Sequence, residues 1–201
     1  MIRKDEYPAE IEFLSKALDI EYPLSDEAKS LLFQNLRREE RQKGDSLFQT
    51  KEELKRVYVL VKGAFKDFTI NEEGEEVVLT LGFEGDLCMK FSSYMPNYTI
   101  EEQFLLYEDT ILYSTEIDYL KSLYETHIGW ANWGRCLAEN LVLEWSHFAD
   151  RLRYLKAKER DLLLVKETPS IANRVPLQDI ASYLGITPVS LSRIRKEIST
   201  L

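Results

Sequence analysis

The sequence predicts an α+β fold in which an antiparallel β-roll with flanking helices is followed by one long helix and a small all-helical unit. Three observations predict it. Gly44 to Ser114 is a succession of short β-rich runs broken by glycine, Ala131 to Leu155 carries apolar or small residues at alternating spacings of three and four, and Leu177 to Ile198 holds two short amphipathic stretches around a breaker cluster. With 201 residues, 44% hydrophobic and 30% charged, the chain is an ordinary globular one, long enough for a sizeable core.

In chain order, two amphipathic helices open the sequence, one near Pro8 to Leu18 and one capped by Ser25 and running to about Arg37. The runs RVYVLV, AFKDFTI, EVVLTL and FLLYED follow, separated by Gly63, Asn71 to Gly74, Gly82, Gly85 and Pro96-Asn97, which is the spacing of a compact antiparallel roll. A short helix near Ile117 to Glu125 leads into the long one. There Ala131, Gly134, Ala138, Leu141, Trp145, Phe148, Leu152 and Leu155 form an a/d seam of more than three heptads, the pattern of a helix paired with its own copy. The expected divisions are 1–125 for the roll, 126–156 for the dimerisation helix and 157–201 for the terminal unit.

LQDIASYLGITPVSLSRIRKEI, from Leu177 to Ile198, reads as a helix-turn-helix. Gly185 supplies the positive φ that ends the first helix, Thr187 caps the second, and Pro188 fits the first helical position because its missing donor has no partner there anyway. At about 100° per residue, Leu191, Ile194 and Ile198 share one face while Val189, Ser192, Arg193 and Lys196 share the other. That second face suits a DNA major groove: Arg193 can grip a guanine edge, Val189 a thymine methyl and Lys196 a phosphate. Charge agrees. Residues 151–201 hold ten Lys/Arg against five Asp/Glu, a balance of +5, so with −9 overall the first 150 residues carry −14.

The sequence also excludes several function classes. Its start, MIRKDEYPAEIEFL, is no secretion signal, and no run approaches the roughly 20 apolar residues of a membrane span, so a cytoplasmic protein with no membrane partner is expected. Cys88 and Cys136 are too few and too far apart for a zinc site or a thiolate-held cluster. No Ser-His-Asp or Cys-His set, phosphate loop or metal-ligand cluster is present, so no enzyme is expected.

The order of these elements resembles the Crp/Fnr family of bacterial transcription regulators over nearly the whole chain, through GDSLFQ at Gly44, VYVLVKGAFKDF at Val57, EGEEVVLTLGFEGD ending at Asp86 and YEDTIL at Tyr107. GITPVSLSRIRK is similar to the branch found in Bacteroidetes. The resemblance implies a cyclic-nucleotide-binding-like roll (a double-stranded β-helix), a homodimer, double-stranded DNA and RNA polymerase as partners, and Thr187, Val189, Ser190 and Arg193 at positions that meet DNA.

Three departures from the family pattern shape the expectations. The family's GE and arginine, which hold a cyclic nucleotide, are replaced by Met89 and Lys90 and by Asn97, Tyr98 and Thr99, with Lys90 the sole basic residue from Asp67 to Leu120 and Glu101 and Glu102 opposing an anion. No cofactor is expected and cyclic AMP is argued against, leaving Lys90, Tyr98 and Thr99 as candidate ligand contacts. Phe83, Phe91, Tyr94, Tyr98, Phe104 and Tyr107 either line a pocket for a neutral or cationic molecule or fill the roll. His127 and His147, the two histidines, do not suggest haem. Finally, no C-terminal wing is expected behind the helix-turn-helix, which would leave phosphate contacts to Arg174, Gln178 or Arg195. The competing reading is a ligand- or partner-binding signalling module with a vestigial DNA-binding domain.

Overall fold

The computed structural model describes residues 6–95 and 97–199. Helix α1 (Pro8–Glu21) starts on a proline and α2 (Asp26–Phe33) on Ser25, whose hydroxyl accepts from Ala28 N at 3.2 Å. Strands β1 (Arg37–Arg41) and β2 (Ser46–Leu47) follow, then β3 (Arg56–Lys62), β4 (Phe65–Ile70), β5 (Glu76–Gly82) and β6 (Leu87–Cys88). A one-turn helix, α3 (Phe91–Tyr94), precedes β7 (Gln103–Leu106) and β8 (Thr110–Glu116).

These strands make two antiparallel four-stranded sheets, ordered β1-β8-β3-β6 and β2-β7-β4-β5. Their apolar faces meet in a core of Leu47, Phe48, Tyr58, Leu60, Phe65, Cys88, Phe104, Leu106 and Leu112. Gly63 makes the β3–β4 corner at φ +123°, and a Cβ there would lie 2.3 Å from the Thr110 hydroxyl, so the corner admits only glycine.

The expectation that α2 runs to about Arg37 does not hold, because the helix stops at Phe33 and RREER forms β1 instead. Five charged residues make a strand because the fold supplies partners. Arg38 Nε donates to Glu10 at 2.8 Å, Arg41 reaches Glu39 and Glu53 at 2.8 and 2.7 Å, and Tyr113 donates its hydroxyl to Glu10 at 2.6 Å.

After the roll come α4 (Ile117–Thr126) and the 27-residue α5 (Ile128–Tyr154), whose first turn is capped by His127 Nδ1 accepting from Gly129 N at 3.2 Å. Trp130 and Trp133 anchor α5 by donating to the carbonyls of Ala28 and Leu18 at 3.0 and 2.9 Å. Both rings join Leu14, Leu32, Phe33, Leu120 and Leu123 in a second core. The terminal unit holds α6 (Ala157–Glu167), α7 (Ile171–Arg174), α8 (Leu177–Tyr183) and α9 (Pro188–Ser199). Its core of Ile171, Val175, Ile180, Ala181, Leu184 and Leu191 includes Ala64 and Tyr107 of the roll, so the unit is docked on its own chain. Among the described residues no helix is long and apolar enough to cross a membrane.

Candidate DNA-reading surface and ligand cavity

Helices α8 and α9 meet at the expected turn. Gly185 has φ +67°, its N–H donates to Ser182 O at 2.9 Å, and Ile186 N–H donates to Ala181 O at 3.0 Å. Thr187 Oγ1 accepts from Ser190 N at 3.2 Å and lies 2.9 Å from Ser190 Oγ, so both side chains serve the cap of α9. Leu191 is fully buried and Ile194 and Ile198 half-buried. On the opposite face Val189 is 79% exposed, and Ser192, Arg193 and Lys196 are exposed beside it. The face assigned to the groove is thus open to solvent.

Two of the three cations or polar groups named for phosphate contact are committed elsewhere. Arg195 forks onto Asp161 at 2.8 Å, a carboxylate only 2% exposed, and ties α9 to α6. Arg174 binds Glu84 at 2.7 Å, Gly63 O at 2.8 Å and Glu108, with its guanidinium over the Phe83 ring. Gln178 remains exposed at the start of α8. These arginines hold the unit together and to the roll because acids from distant segments neutralise them.

The dock continues through Asp179 of α8. Its carboxylate accepts from the Tyr107 hydroxyl at 2.8 Å and lies 3.4 Å from Lys66 Nζ, which also binds Glu76. Burial and then the hydrogen bond to Asp179 push the Tyr107 phenol well above its ordinary pKa. Ser182 Oγ accepts from Val78 N at 3.0 Å, linking α8 to the edge of β5.

Helix α5 presents two apolar faces, and the predicted seam is divided between them. Gly134 packs on Tyr124, where a Cβ would stand 3.0 Å from the ring, while Leu141 and Phe148 turn toward their own roll and terminal unit, Phe148 lying 5.0 Å from the Tyr183 ring. Ala138, Trp145 and Leu152 stay exposed, with Ala131 and Leu155 half-buried. The open stripe is Ala138, Val142, Trp145 and Leu152, with the half-buried Ala149 between the last two, at spacings of four and three, Val142 being 68% and Trp145 54% exposed. It is offset by one residue from the seam at every second position. Beyond α5, Arg160 donates to Leu155 O and to Leu184 O, both at 2.9 Å, tying the end of the long helix to the end of α8.

Between the roll and α5 lies a cavity of about 570 Å³, within the usual range for small-molecule sites. Its walls include Phe65, Asp67 and Phe104 of the roll, Phe91 of α3, Trp145 and Phe148 of α5, and Tyr183 of α8, so all three parts of the chain touch it. Tyr98 lines it, whereas Lys90 and Thr99 do not stand among its walls. Of the aromatics considered for a pocket, Phe91, Tyr98 and Phe104 reach it. Phe83 instead meets Arg174, and Tyr107 bonds Asp179.

Sequence reasoning missed Asp67 and the part Glu102 plays. Burial, then the charge of Glu102, pushes the Asp67 carboxyl up to about 8 against the pull of Lys90, and burial also raises Glu102. The available signal was the lone acid in AFKDFTI at the inward register of Phe65. Cys88 is buried behind them and its thiol is pushed far up by burial, which makes it inert. Among the described residues no group of three metal-binding side chains occurs.

No family model matches the chain. A curated relative, the fumarate and nitrate reduction regulatory protein of Yersinia pestis, is 44% identical over 46 residues, and the chain matches 18% of that protein's length and 23% of its own. Solved structures match far more of it. A putative transcriptional regulator of the Crp/Fnr family from Eubacterium rectale superposes with a TM-score of 0.66 at 18% identity, covering 88% of this chain and 84% of that one. FixK2 from Bradyrhizobium japonicum gives 0.67 at 17% identity over 82% and 85%. The c-di-GMP responsive regulator CLP from Xanthomonas campestris gives 0.61 at 16% identity over 88% and 92%. From roll to helix-turn-helix, the chain therefore has the fold of the Crp/Fnr transcription regulators.

Proposed function

We propose that the chain is a homodimeric, sequence-specific DNA-binding transcription regulator of the cytoplasm, in which the roll and its cavity sense a signal other than cyclic AMP. The exposed face of α9 carries this reading: Val189, Ser192, Arg193 and Lys196 stand outward on a helix whose other face is buried. Arg193 offers a planar fork for guanine, and Lys196 a point charge for phosphate. The curated match and the shared fold support it. Pairing through the open stripe of α5 would relate two α9 helices by a two-fold axis, to read half-sites about one DNA turn apart. Among the described residues no Lys or Arg stands in the cavity walls, which include Glu21, Asp67, Asp86, Glu102 and Glu144, so a cyclic phosphate would meet repulsion where it needs neutralisation.

Selection of the full chain on a randomised duplex pool tests the proposal. Enrichment of a palindromic site is expected, with R193A binding it roughly 10-fold or more weaker and losing preference at one position per half-site. An unenriched pool would instead favour a signalling module whose DNA-binding unit is vestigial.

A further inference from the structure

The cavity has a composition that selects one class of ligand. Asp67 and Glu102 are 5% and 2% exposed, both line it, and Asp67 Oδ1 and Glu102 Oε1 have no hydrogen-bond partner. Buried carboxyl oxygens are almost always paired, so two orphans on one wall mark a place for a donor. The second oxygen of Glu102 faces the backbone of α3, accepting from Ser92 N at 3.5 Å, with the Phe91 N–H also favouring its charged form. Facing them is an aromatic cluster in which the Phe91 ring lies 5.7 Å from Tyr98 and 5.5 Å from Trp145. Lys90 acts on the two carboxyls only through its charge.

We propose that this cavity binds a small organic cation bearing N–H donors, an ammonium on an apolar or aromatic body. Asp67 and Glu102 take the N–H groups, and Phe91, Tyr98 and Trp145 take the body. The inference rests on the reading of the cavity as the sensor site and names its ligand class. Each requirement of the walls is met at once: donors satisfy the orphan oxygens, positive charge answers the five acids that line the cavity, and the rings favour a cation as well as an apolar surface. A metal ion fits poorly, since 570 Å³ far exceeds an ion's needs and most of the wall is apolar.

The proton balance is specific. Asp67, whose pKa is pushed up to about 8, is mainly protonated at neutral pH. Pairing with an ammonium favours its carboxylate, so the proton leaves to solvent as the cation enters. Glu21, Asp86, Glu102 and Glu144 in the walls, and Lys90 through its charge, are the other charged groups that bear on this exchange.

Titration calorimetry of the full chain at pH 7, in two buffers of different ionisation enthalpy, provides the test. The probes are phenethylamine and tryptamine, against phenethyl alcohol, 3-phenylpropionate and cyclic AMP. Saturable binding of an amine with proton release is expected, roughly 10-fold or more tighter than the alcohol, and lost to the same degree in D67N and in E102Q. Trp145 fluorescence, read against W145F, should report the same event. The proposal is overturned if neither amine binds, if the alcohol or either anion binds as tightly, or if a folded D67N/E102Q double variant binds amines as before. Because DNA selection is a separate measurement, a chain that enriches a palindrome and ignores amines fails this inference alone. One that binds amines and no DNA fails only the regulator reading.

Discussion

At the scale of single residues, Asp67 is the side chain whose environment most opposes its ordinary state. A native pKa raised from 3.8 to about 8 means that the folded protein keeps a proton which the unfolded chain gives up. Its contribution to stability is therefore full below about pH 4, falls as pH rises toward about 8, and is flat above. Asn mimics the protonated form, so D67N should match the parent at pH 4 and gain on it by a slope approaching about 1.4 kcal/mol per pH unit between those limits. Urea melts at pH 4, 6 and 8 check this, and a pH-independent difference would contradict it. By the same slope the cavity costs the protein stability at neutral pH, where folding must hold a proton that the unfolded chain has released, and a paired cation would relieve that cost.

Secondary-structure elements show which physical information a sequence carries. The helix-turn-helix was legible because its chemistry is local: Gly185, Thr187 and Pro188 each answer a backbone need within a few residues. Strand β1 was not, since RREER is a strand only in the company of Glu10, Glu53 and Tyr113. The engagement of Arg174 and Arg195 was hidden for the same reason, their acids lying far away in the chain. Helix α5 was half legible. Period 3.5 showed that it had apolar faces to bury, but Gly134 and Leu141 differ by one position from the exposed Arg135 and Val142, and only the fold decides which set the chain covers itself. This yields a sharp expectation for the proposed pairing face. V142D should shift the chain from dimer to monomer in sedimentation at micromolar concentration while leaving its melting within a few degrees of the parent monomer, since Val142 is 68% exposed. L141D, on the inward side, should instead lower stability by about 3 kcal/mol. Equal behaviour of the two variants would refute the division of faces.

On the scale of the whole molecule, the dock between roll and terminal unit couples what would otherwise be independent bodies. Its buried polar part is Asp179 with Tyr107 and Lys66, beside the contacts of Arg174 and Ser182 to the roll, and its apolar part joins Ala64 and Tyr107 to Ile180 and Ala181. Removing one member of a buried ionic group leaves the others uncompensated, so D179A should cost about 3 kcal/mol. The loss should fall on the dock: hydrogen exchange is expected to speed up across α8 and β5 together and leave β1, β3 and β8 protected, with denaturant unfolding splitting into two transitions. A single transition of unchanged midpoint would show that the two units are held by something else.

Arg160 gives this coupling its mechanical character. One guanidinium closes the carbonyl ends of both the long helix and α8, through Leu155 and Leu184. The end of α5 therefore cannot change direction without either carrying the reading head with it or breaking that clamp. The junction is a welded elbow whose clamp either holds or breaks, so a signal of the proposed kind passing through it should arrive as a step rather than a gradient.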